Sequence, residues 1–440
     1  MIADPPRSPG IYYGWIVVAV GFITLLVASG VRSTPAVLLL PLNEEFGWNA
    51  ATVSVAMSLN LLLFGLAGPF AAALMDRWGM RRVVPGAMSI VALAALLSMR
   101  MSEPWQLALL WGALSGIGVG SLATVLAAMI AARWFVHRRG LVMGICSAAS
   151  GSGQLLAVPL LAATAVTFGW RGLCLAIAVV AVAVAPLGAI FLRNGPEALG
   201  LLPLGATGPV APFSSPTANP IAAAFGTLGE AMRNRGFWAL ALSFMLCGAT
   251  STGILGTHLI PASVDHGLSQ VDAASLLGVV GAIGLAATLV SGWLTDRYDP
   301  RKLLAGYYLS RALALWALPV SFDAEWRLAL VIAVHGFDWV ATLPPTAALA
   351  TELFGRERGP AVVGWVFVGH QIGAAAAAYA IGFARVEIGS YDPAFMLAGI
   401  VSVAAAALAL VVRLPAEHQQ RATPLVEDGP LVRPAGLARR

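Results

Sequence analysis

The sequence predicts an all-α membrane protein in which twelve transmembrane helices form two pseudo-symmetric bundles of six. Three observations support that fold class: a very apolar composition, twelve apolar runs of membrane-spanning length, and a motif that recurs half a chain apart. Hydrophobic residues make up 59% of the 440 residues and charged residues 11%, and the mean hydropathy is +0.82. Because soluble domains carry roughly 25% charged residues, this chain has too little polar surface to fold in water.

The repeat is clearest in two short loops, each with an aspartate followed by basic residues. The first loop reads MDRWGMRR around Asp76, and the second reads TDRYDPRK around Asp296, half a chain length later. Gly47 and Gly267 keep the same offset. Self-similarity over so long a period indicates duplicated domains rather than a solenoid.

Each predicted helix needs about 20 apolar residues to cross a hydrocarbon layer roughly 30 Å thick. Such runs lie at 15–37, 53–74, 83–99, 107–131, 140–164, 173–192, 237–260, 274–294, 303–320, 328–353, 361–384 and 395–412. They divide the chain into an N-terminal six-helix bundle (1–194), a linker (195–235), a C-terminal six-helix bundle (236–413) and a tail (414–440). The linker and tail are rich in Pro, Gly and small residues, which is typical of connecting segments.

The distribution of basic residues predicts the orientation. With the N-terminus in the cytoplasm, the cytoplasmic segments carry 20 of the 26 Lys and Arg residues, and the loops of the other side carry four. The positive-inside rule therefore predicts two cytoplasmic termini, and the strong preference for Arg over Lys favours a bacterial inner membrane. Since the basic residues flank short loops and form no single patch, we expect no nucleic-acid partner.

No nucleophile with an adjacent base, metal-ligand spacing or cofactor motif occurs in the sequence, so we expect neither an enzyme nor a bound metal or cofactor. The three cysteines fall inside apolar runs, where a free thiol behaves as a small hydrophobe.

Ionisable residues inside membrane spans cost about 2.5 to 3.5 kcal/mol each on insertion scales, so those present are candidates for function. Arg32 lies about 24 Å along the first span from its cytoplasmic end, where it is able to face a central cavity. The alternative is an arginine that extends to the aqueous surface.

Arg311 in the ninth span and Asp338 in the tenth lie near the same depth, so the sequence predicts a buried ion pair. That pair is either structural or a moving part, and His335 shares a helix face with Asp338. His370 and Gln371 lie about 14 Å into the eleventh span, where a histidine can bind a carboxylate or change charge near neutral pH.

Asn60 and Gln154 are polar residues that can line the opposite half of the same cavity. With Arg32, His370 and Gln371 they complete the predicted substrate-binding set.

The two Asp-Arg loops, one in each six-span half, resemble the cytoplasmic loop signature of the major facilitator superfamily. The resemblance implies the major facilitator fold, with contacts between the halves made by the second span against the eleventh and the fifth against the eighth. It also implies that the loops are conformational gates, in which the first aspartate meets the N-terminal end of the eleventh helix and a neighbouring arginine. The predicted gate residues are Asp76, Arg77, Arg81, Asp296 and Arg297.

A closer resemblance begins with WFVHRRGLVMG at Trp134 and with YGW at Tyr13. Both are similar to signatures of the monocarboxylate transporter family, in the branch that includes oxalate-formate antiporter-like proteins. By that resemblance Arg32 falls at the position of a first-helix lysine implicated in anion and proton coupling. Leu285 and Leu289 stand where eukaryotic members carry an aspartate and an arginine, so the ninth to eleventh spans would have to supply those charges.

Together these features predict a secondary transporter that moves a small organic anion by alternating access, coupled to protons or to anion exchange. The alternative is an exporter of amphipathic, drug-like molecules, favoured by a cavity poor in charge. A sensor or scaffold built on a transport fold is a third interpretation. We expect a monomer that contacts only membrane lipid and its substrate, with a proton as the candidate coupling ion.

Overall fold

The computed structural model describes residues 11–48, 50–206, 208 and 219–413. The predicted tail and part of the predicted linker lie outside the described residues, and so does the side chain of Gln154. The regular elements that are described are helices, with one isolated bridge between Phe135 and Leu204. A helix satisfies its backbone hydrogen bonds within one segment, which is what the hydrocarbon layer demands.

Among the described residues of the N-terminal half, eight α-helices build its six spans. The first span consists of α1 and α2, the second is α3 and the third is α4. The fourth joins α5, α6 and α7 and includes a π-helical segment, Ala108–Leu114. The fifth and sixth are the two parts of α8, which Gly169 separates with a φ of 70°. The bounds are α1 Tyr13–Arg32, α2 Thr34–Phe46, α3 Ala50–Trp78, α4 Met80–Ser98, α5 Pro104–Leu107, α6 Ser115–Gly120, α7 Ala123–Trp134 and α8 Arg139–Phe191.

The described part of the linker contains a short 3-10 helix, Pro196–Leu199, and an α-helix, α9, after which the C-terminal half follows. The seventh span joins α10 and α11 through a π-helical segment, Ala249–Leu255. The eighth, ninth and twelfth spans are α12, α13 and α16. The tenth is α14 with the first part of α15, and the eleventh is the rest of α15 after Gly355, whose φ is 77°. The bounds are α9 Pro220–Ala231, α10 Arg235–Gly248, α11 Gly256–Asp265, α12 Gln270–Thr295, α13 Pro300–Ala317, α14 Glu325–Asp338, α15 Leu343–Ile388 and α16 Asp392–Val411.

The predicted fold class is confirmed. Among the described residues, nine helices are long and apolar enough to cross a membrane by length and composition alone. The count is lower than twelve partly because one of the nine, 325–385, joins the tenth and eleventh spans. The first span runs beyond its predicted end at residue 37, since α2 continues to Phe46.

The backbone preserves the repeat that the sequence shows. Gly47 and Gly267 adopt left-handed conformations, with φ of 69° and 91°, each just after the last helix of the first or seventh span. Gly169 and Gly389, which have the same half-chain offset, have φ of 70° and 81° between the last two spans of their halves. Glycine adopts this region without steric cost, so the two halves turn at equivalent places.

Within each half, an ion pair links two spans on the side away from the Asp-Arg loops. Arg171 donates to Glu45 at 2.7 Å, and the indole of Trp170 donates to the same carboxylate at 2.6 Å. Asp265, which lies half a chain length after Glu45, accepts from Arg385 at 2.7 Å. The carboxylates of Glu45 and Asp265 therefore lie at equivalent places in the two halves. The first links the first span to the start of the sixth span, and the second links the seventh span to the end of the eleventh.

The fifth and eighth spans meet at glycines, as expected. A Cβ placed on Gly144 would lie 2.7 Å from the carbonyl oxygen of Thr288 and 3.0 Å from the Cα of Gly292. A Cβ on Gly140 would overlap the carbonyl oxygen of Gly292. Small residues let membrane helices approach this closely, so the backbones of the two halves touch here.

The second and eleventh spans also meet, which confirms the other expected contact. A Cβ on Gly364 would lie 2.9 Å from the backbone nitrogen of Pro69, and the ring of Phe64 packs edge-on against Phe367 at 5.5 Å. Other glycines of the eighth and eleventh spans pack within one half instead. Gly373 faces Met245 of the seventh span, and Gly284 faces Gly336 of the tenth.

We predict that Gly292→Ala destabilises the protein, whereas Gly306→Ala does not. A glycine-to-alanine change in a helix normally stabilises by about 0.5 to 1 kcal/mol, and a Cβ on Gly306 would meet nothing within 4 Å. At Gly292 the new methyl would overlap Gly140, and such overpacking costs about 1 to 3 kcal/mol. Thermal unfolding of the purified variants measures the difference, and equal melting temperatures would contradict the close contact.

Candidate functional site

The second Asp-Arg loop joins the two halves directly. Asp296 follows α12, and its two carboxylate oxygens accept from the backbone N–H groups of Gly140 and Leu141 at 2.7 and 2.9 Å. These N–H groups belong to the first turn of the fifth span, where helices have free donors and partial positive charge. Burial raises the pKa of Asp296 although the bonds from Leu141 and Gly140 oppose that rise.

The first Asp-Arg loop makes a different contact. Asp76 forms an ion pair with Arg133, which lies in the last turn of the fourth span in the same half. We expected Asp76 to meet the start of the eleventh span as well. When the two halves are aligned on Arg139 and Arg358, Leu141 corresponds to Pro360, and proline has no N–H to donate. The ion pair of Asp76 is therefore with Arg133, the expected neighbouring arginine.

Arginines complete the contacts on this face, which we call the loop side because it carries Asp76 and Asp296. Arg356, at the start of the eleventh span, donates to the carbonyl oxygens of Ala132 and Arg133 at 2.8 and 3.1 Å. Since Arg133 also binds Asp76, the first loop reaches the C-terminal half through this carbonyl. The two halves are thus closed against each other on the loop side.

The remaining predicted gate residues stay within one half or at the surface. Arg81 donates to the carbonyl oxygen of Ala189 at 2.6 Å, at the end of the sixth span. Arg297 lies over the ring of Trp293, 3.9 Å from its centroid, on its own helix. Arg77 is exposed at the end of α3.

The two segments that resemble monocarboxylate transporter signatures pack against each other. The ring of Tyr12 lies edge-on to Trp134 and Phe135 at 6.1 and 6.0 Å, and Trp15 lies edge-on to Phe135 at 5.1 Å. The hydroxyl of Tyr12 donates to the carbonyl oxygen of Trp134 at 3.0 Å. Burial raises the pKa of Tyr12 to about 12, so this hydroxyl keeps its proton. The contact fixes the start of the first span against the start of the fifth.

A line of aromatic rings crosses between the halves near Arg32. The Arg32 guanidinium lies 4.3 Å from the centroid of Phe64, in the second span. Phe64 packs on Phe367 of the eleventh span, and Phe367 stacks on His370 with centroids 5.6 Å apart. His370 also packs on Phe244 of the seventh span at 4.7 Å. The line brings Arg32 and His370, from opposite halves, to one region.

The other predicted substrate-binding residues differ in their surroundings. Nδ1 of His370 lies 3.1 Å from Oε1 of Gln371, and Nε2 of Gln371 is buried without a hydrogen-bond partner among the described residues. Asn60 donates to the carbonyl oxygen of Trp111 at 2.7 Å, which is a contact within the N-terminal half. The substrate-binding roles of these residues stay predictions.

Arg311 and Asp338 form a fully buried ion pair at the predicted place. Nε and Nη2 of Arg311 donate to the two carboxylate oxygens at 2.9 and 3.0 Å, which is a bidentate geometry. Nη1 lies 3.2 Å from each of three further acceptors, the carbonyl oxygen and Sγ of Cys247 and the hydroxyl of Thr250. The guanidinium is thereby surrounded by acceptors in a fully buried position.

His335 lies beside this pair and is almost completely buried. Its Nδ1 is 3.8 Å from Oδ1 of Asp338, and neither ring nitrogen has a hydrogen-bond partner in the described part of the chain. A buried polar group without a partner is costly.

Comparison with known proteins decides the family. A family model described as Major Facilitator Superfamily matches residues 20–342, well over half of the chain. The chain belongs to the Major Facilitator Superfamily. Members of this superfamily are membrane transporters, so the protein is a transporter and not an enzyme.

Several relatives are similar along most of their length. Human monocarboxylate transporter 11 is 29% identical over 409 residues, which cover 91% of this chain and 83% of the relative. The gallate transporter of Pseudomonas putida is 26% identical over 438 residues and 94% of each chain. Among solved structures, the proton:xylose symporter XylE matches with a TM-score of 0.70 and 15% identity, covering 91% of this chain and 96% of that one. The last similarity supports the major facilitator fold.

Sequence reasoning missed two kinds of residue in this superfamily member. Phe64 and Phe367 connect Arg32 to His370, but an aromatic residue in an apolar run has no distinguishing signal. Cys247 and Thr250 bind Arg311 from the seventh span, beside and within its π-helical segment. Their contact with Arg311 depends on which spans pack against each other, and the apolar runs of the sequence do not show that packing.

We predict that Asp296→Ala weakens closure on the loop side more than Asp296→Asn does. Removing a side-chain acceptor from a helix N-terminus costs about 1 kcal/mol, and asparagine keeps one of the two acceptor oxygens that bind Gly140 and Leu141. Alanine should therefore shift the ratio of closed to open protein about fivefold. Spin labels at Trp78→Cys and Tyr298→Cys, exposed positions that correspond in the two halves, would report the opening as longer distances.

Asp323→Asn is the matched control, because Asp323 is exposed in a loop on the opposite side. It should leave the distance distribution unchanged. An unchanged distribution for Asp296→Ala would show that its bonds to the fifth span do not hold the halves together.

Proposed function

We propose that this transporter moves a small organic anion, such as a monocarboxylate, by alternating access. The observation that carries the proposal is the guanidinium of Arg32. It lies against Phe64, and the described residues give it no acidic partner. Other deep arginines of the chain are neutralised, Arg311 by Asp338 and Arg133 by Asp76. A half-buried arginine without a carboxylate is suited to bind a carboxylate from outside the protein.

The position of Arg32 supports binding between the halves. In transporters made of two repeats, the substrate site lies near the membrane midplane at the interface of the repeats. Arg32 belongs to the first half and His370 to the second, and two rings connect them. A carboxylate bound to Arg32 would lie beside aromatic rings that suit the apolar part of a small organic acid.

The closed loop side supports a transport cycle in which the observed state is the one closed on this face. By the positive-inside rule, the loop side is cytoplasmic and the protein belongs to the inner membrane. The observed state is then closed to the cytoplasm. Separation of Asp296 from Gly140, and of Arg356 from Ala132, would open the cytoplasmic side.

The Arg311–Asp338 pair is proposed to couple transport to protons. Half a chain length earlier, the corresponding positions are Val91 and Gly118. In the N-terminal half a Cβ on Gly118 would lie 2.7 Å from a methyl group of Val91. The same two positions therefore meet in both halves, but only one half uses charges. The fold does not require an ion pair there, which favours a functional role.

We predict that Arg32→Gln lowers uptake of short monocarboxylates into proteoliposomes by about 10- to 100-fold, since a hydrogen bond to a charged group is worth about 1.5 to 3 kcal/mol. Arg32→Lys should retain part of the uptake because it keeps the charge. Arg100→Gln is the control, since Arg100 is an exposed arginine in a loop of the outer side.

Uptake of lipophilic cations that monocarboxylates do not inhibit would favour the alternative exporter. Equal uptake by Arg32→Gln and the wild-type protein would remove Arg32 from the site.

We predict that Asp338→Asn uncouples transport from the proton gradient while exchange of substrate across the membrane persists. Exchange does not require the empty carrier to reorient, whereas net transport does. Protonation of Asp338 would release Arg311 and shift the protein between conformations. Proton-driven uptake and substrate exchange, measured in the same proteoliposomes, separate the two steps.

A purely structural pair predicts another pattern. Each single mutant would then fold poorly, because it leaves one buried charge without a partner. The double variant Arg311→Leu with Asp338→Leu would recover folding and proton-driven uptake together. Recovery of proton-driven uptake in that double variant would refute the coupling role.

A further inference from the structure

The linker helix α9 exposes a stripe of apolar side chains. Ile221, Phe225, Leu228 and Met232 follow one another at helical spacing, from the start of α9 to the residue after its end. Ile221, Phe225 and Met232 are 60%, 53% and 46% exposed. Asn219 caps the helix, since its side-chain oxygen accepts from the N–H groups of Ile221 and Ala222. A capped helix with one exposed apolar face is able to lie in the membrane interface.

The same helix lies across the seam between the halves. Phe225 packs edge-on against Phe70 of the second span at 5.5 Å and lies 5.8 Å from Trp365 of the eleventh. The indole of Trp365 donates to the carbonyl oxygen of Ala224 at 3.1 Å. Since the second and eleventh spans belong to different halves, α9 contacts both of them on the loop side.

Basic residues surround the C-terminal end of α9. An open pocket of about 610 Å³ lies there, lined by Glu230, Arg233, Asn234, Arg235, Phe354 and Arg358. Glu230 forms an ion pair with Arg358. Arg233 and Arg235 are exposed, and no acidic partner is described for either in the part of the chain that the structure covers. The pocket therefore keeps two positive charges beside an apolar stripe.

We propose that this pocket binds the headgroup of an anionic phospholipid and that the stripe inserts at the edge of the acyl layer. Each component fits one part of such a lipid. Arginine donors match phosphate oxygens, and basic residues near a membrane surface attract anionic lipids. A free phosphate would satisfy the arginines but not the apolar stripe. Because α9 contacts both halves, the lipid would bind beside the seam between them.

Binding is tested on the full-length protein in nanodiscs of phosphatidylcholine mixed with phosphatidylglycerol. The number of phosphatidylglycerol molecules retained is counted by native mass spectrometry. Each arginine near the surface contributes roughly 1 kcal/mol, so the variant Arg233→Gln with Arg235→Gln should prefer phosphatidylglycerol about 30-fold less than the wild-type protein. Arg82→Gln, an exposed arginine on the same side, should retain the wild-type preference.

The outcomes separate lipid from free phosphate. An equal loss in Arg82→Gln would mean that general surface charge, and not this pocket, attracts the lipid. Displacement of phosphatidylglycerol by inorganic phosphate would identify a phosphate site. Either result overturns the proposal.

The position of the stripe has its own test. The three natural cysteines are 0 to 1% exposed, so a thiol-reactive fluorophore should label Ile221→Cys selectively. Its emission should shift to the blue in nanodiscs and be quenched by brominated lipid tails. The matched control is Gly226→Cys, which is exposed near the opposite face of α9 and should show neither effect. Identical emission at the two positions would refute insertion of the stripe.

Discussion

Direct contact between the backbones of the fifth and eighth spans is the constraint on which the rest of the structure depends. Gly140 and Gly144 meet Gly292 so closely that a single added methyl group would overlap another backbone. This approach places the first turn of the fifth span beside Asp296, which binds its free N–H groups. The halves are therefore closed on the loop side, and Arg32 and His370 come into one region by way of Phe64 and Phe367.

The hydrocarbon layer explains why Arg311 is surrounded by acceptors, whereas the equivalent position in the first half is apolar. An arginine in that layer needs acceptors from the protein, and Arg311 has a carboxylate, a carbonyl, a thiol and a hydroxyl around it. Val91 and Gly118 make the equivalent contact in the first half with no charge at all. The two halves thus share a backbone arrangement, and one of them has a polar centre that the other lacks.

The repeat is similarly incomplete at the loops. Asp296 accepts from a helix N-terminus that includes the N–H of Leu141, whereas Asp76 binds Arg133. The residue that corresponds to Leu141 in the second half is Pro360, which has no N–H to donate. The second loop therefore bonds directly to the other half. The first loop is linked to the other half indirectly, because Asp76 binds Arg133 and the carbonyl oxygen of Arg133 accepts from Arg356. The linker helix adds a third contact, in which Trp365 and Phe70 both meet α9.

The sequence by itself determined the fold class, the twelve spans and the duplicated halves, because apolar run length and a repeat at half the chain length are local or periodic properties. It also made Arg32, His370, Arg311 and Asp338 candidates for function, because an ionisable residue inside an apolar run is costly. Only the tertiary structure decided which of these residues meet. Packing of the seventh, ninth and tenth spans brings Cys247 and Thr250 to Arg311. Packing of the second span against the eleventh brings Phe64 and Phe367 between Arg32 and His370. Apolar or weakly polar residues carry no signal of their own, so their partners are set by helix packing.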